Sequence, residues 1–385
     1  MRPPLTLDIG WSDLLAAGWS CVVATDCERA TTRVESLWSA SGDAVAGLTV
    51  RTLFDAWLRA SAFNAGDEIL MTAFTLPDMA RVVRENGLVP VALDVDPTTL
   101  APTESDLDAL WSERTRAIVV AHLFGSRCDL APTLAWARRR GVDVVEDAAQ
   151  GYAADGWTGT EGAAASLFSF GTIKTATALG GGVARVGDAR VRGAMKSLLG
   201  AARPQPRREF LVRVLHAALL CILGTRPIYG AFVRACELFG RRHDDVARRG
   251  TRSIRGSDFL AAIRRRPSAP LLALVARRLE DPPSDQIALR AARGEALLRR
   301  IADRVSVPGA RAAVRSHWLL PICVADRAGT LSRLRRAGID AAPSGSVAVI
   351  GDAPRLLAMQ SGLLYLPVPT DLEAAEIERI ADAIV

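Results

Sequence analysis

Apolar and polar positions follow two rhythms between Asp67 and Val186. Short β-rich apolar runs ("DEILMTAF", "LVPVALDVD", "RAIVVAHLFG", "VDVVEDAAQ") alternate with helical stretches ("PDMARVVRENG", "TESDLDALWSERT", "DLAPTLAWARRRG"). Thr103 and Asp129 stand where helices start, and Gly87 and Gly141 where they close. Such alternation predicts βαβ units around a mostly parallel sheet, because parallel strands need a crossover between them. An active crevice is then expected beyond the carboxyl ends of the strands. Ser166 to Phe170 and Gly182 to Val186 read as two further strands, joined by a loop of small residues through which the backbone can pass close to a ligand.

The texture changes after Gly200. "RPQPRR" precedes a pair of apolar helical stretches over Glu209 to Gly240, interrupted at "GTRP", and an arginine-rich tail follows. This segment reads as an insertion, with three readings: a dimer interface, a lid over an apolar substrate, or an interfacial membrane contact over 209–240 rimmed by arginines. Base rates put the dimer or core reading first. From Asp258 a long helical region, broken at "DPPSD", leads to a strand in "SHWLLPICV", a helix in "TLSRLRRAG" and a terminal helix opened by a capping box of Thr370 and Glu373. The organisation expected is an N-terminal arm over 1–44, a large α/β domain over 45–257 with the insertion at about 203–250, and a small α+β domain over 258–385.

Composition narrows the class. With 385 residues, 49% hydrophobic and only 23% charged, the chain can bury a large core and is not a disordered tail protein. Its apolar runs are too short to cross a bilayer, and the start "MRPPLTLDIGWSDLLAAGWS" lacks the pattern of a signal peptide, so a cytoplasmic location is expected. Six cysteines without a CxxC pair suggest buried free thiols rather than disulfides or zinc, and no metal site is expected. The +6 charge comes from arginines spread along the chain with few aromatics among them, which fits solvated helix faces rather than nucleic-acid binding.

Only two of the 48 basic residues are lysines, Lys174 and Lys196. Lys174 lies between the strand "SLFSF" and the glycines 180–182, whereas Lys196 sits in a helical stretch and reads as solvated. An amine can condense with a carbonyl and a guanidinium cannot, so the position of Lys174 suggests covalent chemistry. Asp147 ends the strand "VDVVED", where a carboxylate would face the crevice; a helix cap, or Glu146 as the buried partner, is the alternative. A carboxylate there suits the ring nitrogen of pyridoxal phosphate, which must stay protonated for the ring to act as an electron sink. Gln150 follows three residues on, and Ser169 offers a hydroxyl for a phosphate. His122, at a strand end, is read equally as a core or a functional residue.

Through "AGDEILMTAFTLPDM", "GLVPVALDVDPTTL", "RTRAIVVAHLFG", "VVEDAAQGYAADGWTGTEGAAASLFSFGTIK" and "LLYLPVPTDLEAAEIERI" the chain resembles the DegT-type (DegT/DnrJ/StrS, sugar-aminotransferase-like) enzymes of pyridoxal-phosphate fold type I. The resemblance implies that Lys174 binds the cofactor aldehyde, Asp147 faces the pyridine nitrogen, Gln150 neighbours the phenolic oxygen and Ser169 holds the phosphate. It also implies an aminotransferase that moves an amino group from an amino-acid donor to a ketone or aldehyde acceptor, working as a homodimer. The chain departs from the family pattern in four places. Thr49, Val50 and Arg51 replace the small Gly-Thr pair beneath the phosphate, leaving Thr49 or the backbone to substitute, and Leu76 stands where an aromatic usually stacks on the ring. Gly180 replaces a glutamate, and the partner subunit's asparagine has no match near "RGSDFLAAIRRRPSAP". These departures motivate two alternatives: another reaction type such as elimination, or a non-catalytic, membrane-associated relative.

Overall fold

The computed structural model describes residues 7–23, 26–225, 228–230, 234, 258–342, 345 and 347–384. Two helices, α1 (Trp11–Val22) and α2 (Cys27–Trp38), precede β1 (Ala44–Gly47) and α3 (Val50–Ser61). The alternating region forms β2 (Glu68–Thr72), β3 (Phe74–Thr75), α4 (Pro77–Glu85), β4 (Val89–Leu93), α5 (Glu104–Leu110), β5 (Thr115–Ala121), β6 (Ser126–Arg127), α6 (Ala131–Arg140) and β7 (Asp143–Asp147). β8 (Ala165–Ser169) and β9 (Gly182–Val186) flank the lysine loop, and α7 (Ala189–Gly200) and α8 (Arg207–Leu223) follow.

Seven strands form one sheet in the order β1-β9-β8-β7-β5-β2-β4, all parallel except β9. Both faces are covered, as a parallel sheet requires. Ile69, Met71, Val119, Val145 and Leu167 point into one core with Leu53, Phe54 and Trp57 of α3. Their neighbours Leu70, Ile118, Val120 and Val144 pack with Trp136 of α6 on the other side, where Phe168 and Val183 also meet Trp38. The helix at Ala269–Glu280 packs on α1 and α2, adding Leu271 and Val275 to that second face.

Further along, Leu320–Cys323 pairs antiparallel with Leu363–Leu366, and helices at Ser284–Ile301, Arg327–Arg336 and Ala374–Ile384 close a separate small core around them. This is the smaller α+β unit. Two local expectations need comment. Thr103 caps α5 with a capping box completed by Asp106. The box expected at Thr370 and Glu373 does not form: the last helix starts at Ala374, because Leu372 is buried in the small core and its N–H closes a turn on the Pro369 carbonyl (3.2 Å).

Among the described residues no helix is long and apolar enough to cross a membrane. Five cysteines are free thiols, of which Cys128 is buried and Cys21, Cys27, Cys221 and Cys323 are half-buried; Cys236 lies outside the described residues. The first apolar stretch of the insertion forms α8, packed against α1, and most of the second lies outside the described residues. Large apolar side chains remain exposed along both helices, Trp11, Leu15, Trp19 and Val22 on α1 and Val212, Leu215, Leu219 and Ile222 on α8.

At the carboxyl edge of the sheet, Gly47, Gly182 and Ser169 lie side by side in register. A Cβ on Gly182 would come within 2.8 Å of the Phe168 carbonyl oxygen and 3.2 Å of the Val50 nitrogen. Gly182→Ala is therefore expected to lose about 1–3 kcal/mol of stability, seen as a lower thermal midpoint. Gly187→Ala, whose Cβ would meet nothing within 4 Å, is the control that leaves the midpoint in place.

Candidate active site

Strand alternation decides which acid faces the crevice. In β7, Glu146 and Asp147 point to opposite sides, and Glu146 goes inward. It accepts hydrogen bonds from the Thr160 N–H (2.7 Å) and hydroxyl (2.6 Å) and from the Ser166 hydroxyl, and lies 3.2 Å from Nε2 of His122. Nδ1 of His122 accepts the Cys128 N–H (3.3 Å), which fixes the imidazole proton on Nε2, where it is donated to Glu146. Burial opposes ionisation of Glu146, but its bonds to His122, Ser166 and Thr160 hold the carboxyl below the ordinary range. His122 and Glu146 thus belong to a satisfied interior network.

Asp147 stands at the end of β7, where its carboxylate accepts the Ala149 N–H (3.1 Å). Burial raises its pKa, opposed by that N–H and by the charge of Lys174. Lys174 sits in a turn closed by its own N–H on the Gly171 carbonyl (2.9 Å). Desolvation pulls its pKa down from 10.5 to about 8, and Asp147 works in the other direction. The two side chains each shift the other's pKa, yet they form no ion pair within 4 Å among the described residues.

The remaining candidates are engaged to different degrees by the fold. The Gln150 Oε1 accepts the Phe124 N–H (2.8 Å), which fixes the side chain. The Ser169 hydroxyl accepts the Gly171 N–H (3.3 Å) at the start of the lysine loop. Thr49 is the N-cap of α3 and its hydroxyl is already engaged with the Thr52 N–H (3.1 Å) and hydroxyl (2.9 Å), so the backbone N–H groups of Val50 and Arg51 are what that helix end can offer. Leu76 is the N-cap residue of α4 and packs half-buried against the core. Among the described residues no cluster could hold a metal ion.

Sequence reasoning missed an aromatic ring beside the amine. Trp318, almost buried just before the strand at Leu320, places its ring centroid 4.4 Å from the Lys174 Nζ and donates its indole N–H to the Ile173 carbonyl (2.8 Å). Gly125 makes room for it, since a Cβ there would lie 2.6 Å from the Trp318 nitrogen. The sequence carries no signal for this contact, because a tryptophan beside an apolar strand reads as core. On the other side, Asp8 accepts the Ala176 N–H (3.0 Å), so the segment preceding α1 also anchors the lysine loop.

A doubly covered, mostly parallel sheet with an amine loop and a carboxylate at its carboxyl edge defines an α/β enzyme-like crevice. Residues 53–215 match the sequence profile of the DegT/DnrJ/EryC1/StrS aminotransferase family, and the resemblance read from the motifs is shown over that part of the chain. An L-glutamine:2-deoxy-scyllo-inosose aminotransferase of Micromonospora echinospora is 37% identical over 135 residues, 34% of this chain and 32% of that protein. GDP-perosamine synthase of Caulobacter vibrioides is 34% identical over 154 residues, 39% of this chain and 41% of that protein. The matches thus span about a third to two-fifths of these relatives' length. The whole fold is similar to the aminotransferase TlmJ from Streptoalloteichus hindustanus (TM-score 0.73, 17% identity, 100% of this chain and 98% of that one). It is also similar to the sugar aminotransferase CalS13 from Micromonospora echinospora (TM-score 0.72, 20% identity, 100% and 99%).

If Asp147 supports the ammonium of Lys174, Asp147→Asn is expected to move the amine's pKa below about 8. The pH profile of Lys174 acylation, followed by mass spectrometry in the cofactor-free protein, should shift to lower pH; an unmoved midpoint would separate the two residues.

Proposed function

We propose that this protein is a pyridoxal-phosphate-dependent aminotransferase, transferring an amino group from an amino-acid donor to a ketone or aldehyde acceptor. One observation carries the reading: a desolvated amine with a pKa near 8 and a half-buried carboxylate at the strand end lie close enough to shift each other's pKa without forming an ion pair. The donor set fits the cofactor, since it combines a nucleophilic amine, an acid for a ring nitrogen, an anchored amide, and a hydroxyl with free N–H groups for a phosphate. When bound, pyridoxal phosphate supplies an aldehyde that takes up the donor's amino group and a ring that withdraws electrons from the adjacent carbon.

The chain's own residues do the rest. Lys174 would hold the cofactor through its aldehyde, and its amine, once free, would serve as the site's proton carrier. A pKa near 8 suits an amine to take up and release a proton near neutral pH. Asp147 would keep the ring nitrogen protonated. Gln150, held at its Oε1 by Phe124, has its amide NH2 group to donate to the phenolic oxygen. Ser169 and the first turn of α3 receive the phosphate, and Leu76 gives apolar contact in place of stacking.

The acceptor in this reading is a sugar or a more apolar biosynthetic intermediate; the inosose aminotransferase relative supports a polyhydroxylated ketone. We further infer a homodimer in the cytoplasm, with an arm over 1–44, a large domain over 45–257 and a small one over 258–385. The exposed apolar stripes of α1 and α8 support an interface there, with a peripheral membrane contact over 209–240 as the second occupant of the same surface.

Borohydride reduction of the protein incubated with pyridoxal phosphate, followed by peptide mapping, is expected to label Lys174 and to label nothing in Lys174→Ala. In a separate, unreduced sample, glutamate or glutamine should yield its oxo acid with stoichiometric pyridoxamine phosphate. Label on another residue, or none, would overturn the reading.

A further inference from the structure

Helix α8 carries a charge that meets no counterion among the described residues. Arg213 is half-buried, its guanidinium reaches the Leu179 carbonyl at 3.5 Å, and among the described residues it has no carboxylate within 4 Å. Its neighbours add to the imbalance. Burial lowers its pKa, Glu209 opposes the shift, and the guanidiniums of Arg265 and Arg51 lower it further. Glu209 is already spent on Arg265, which it grips through both oxygens (3.0 and 2.9 Å), and Asp78 is spent on Arg51. With Arg208, which lines the same hollow of about 430 Å³ as Arg213, four guanidiniums stand against the two carboxylates of Glu209 and Asp78 among the described residues, a surplus of two positive charges there. A half-desolvated cation without a partner is costly unless something anionic neutralises it.

Arg213 lies directly above the glycine turn of the candidate site. A Cβ on Gly180 would sit 2.9 Å from its Nη1, and two residues later a Cβ on Gly182 would sit 3.2 Å from the nitrogen of Val50, at the start of α3. The glycine run therefore connects the unmatched guanidinium to the helix end whose N–H groups are open.

We propose that Arg213, with Arg51 beside it, binds a phosphoryl group at the Gly180–Gly182 turn. A surplus of two charges matches a phosphate monoester dianion. A tetrahedral anion with three terminal oxygens can take donors from a guanidinium fork and from helix N–H groups on different sides, which a planar carboxylate does less well. Arg51 stands within the stretch where the family pattern has a small Gly-Thr pair, so this chain replaces small residues and backbone by arginine. The phosphoryl group belongs either to the cofactor, in which case the inference rests on the aminotransferase reading, or to a nucleotide-activated acceptor.

Direct binding to the purified full-length protein distinguishes the sources. Dissociation constants for pyridoxal phosphate, pyridoxal and uridine diphosphate would be measured for the wild type, Arg213→Met and Arg213→Lys, by absorbance or calorimetry. If the cofactor supplies the group, Arg213→Met weakens pyridoxal phosphate about tenfold or more and leaves pyridoxal unchanged. If the acceptor supplies it, the loss falls on uridine diphosphate instead. Arg213→Lys, which keeps the charge but loses the fork, should fall between wild type and Arg213→Met and also serves if the methionine variant folds poorly. Wild-type affinity of both variants for both phosphorylated probes overturns the proposal. Failure of the wild type to take up pyridoxal phosphate sinks the aminotransferase reading, while the uridine diphosphate arm still tests the arginine.

Discussion

An ionised glutamate beneath the carboxyl edge of the sheet fixes which way β7 faces, and the crevice follows from it. Glu146 collects donors from His122, Thr160 and Ser166 in a region closed to water, so turning it outward would strand several polar groups at once. Because side chains alternate along a strand, holding Glu146 inward obliges Asp147 to the opposite side, where its carboxylate and the Lys174 amine feel each other's charge. The interior network thereby sets the electrostatics of a site in which it takes no direct part.

The lysine loop is held from three directions by parts of the chain distant in sequence. Asp8 binds it from the amino terminus, Trp318 covers the amine from the carboxyl-terminal part, and Arg290 donates to the Thr175 hydroxyl (3.1 Å) from the helix at Ser284–Ile301. Within the loop, Gly181 adopts a left-handed conformation (φ +84°) with Val275 2.8 Å from where a Cβ would be, so the turn needs glycine for conformation and space together. A loop fixed this way presents a desolvated amine without relying on an ion pair. That is consistent with a pKa lowered by burial and only partly restored by Asp147.

On the far side of the glycine turn the design changes from backbone to arginine. α8 belongs to the segment that read as an insertion, and it brings both the unmatched guanidinium of Arg213 and a stripe of exposed apolar residues next to those of α1. One helix therefore contributes charge to the crevice and a greasy surface to the exterior.

Much of this was legible from residue order alone. The period-two and helical patterns located β2, β4, β5 and β7 and the helices between them, since local propensity and burial on both faces agree there. The scarcity of lysine singled out Lys174 in an arginine-rich chain, and the strand end singled out Asp147 with Glu146 as its rival. Adjacent acids cannot be told apart by type, so tertiary packing had to choose between them. Packing also engaged the Thr49 hydroxyl with Thr52, moved the last helix start from Thr370 to Ala374, and brought Trp318 to Lys174 and Arg213 to the glycine turn. Sequence determined what repeats over a few residues: strands, helices and the chemical kinds at their ends. Folding decided every contact between residues far apart in the chain, because such contacts depend on how covered faces meet and leave no periodic trace in the order of residues.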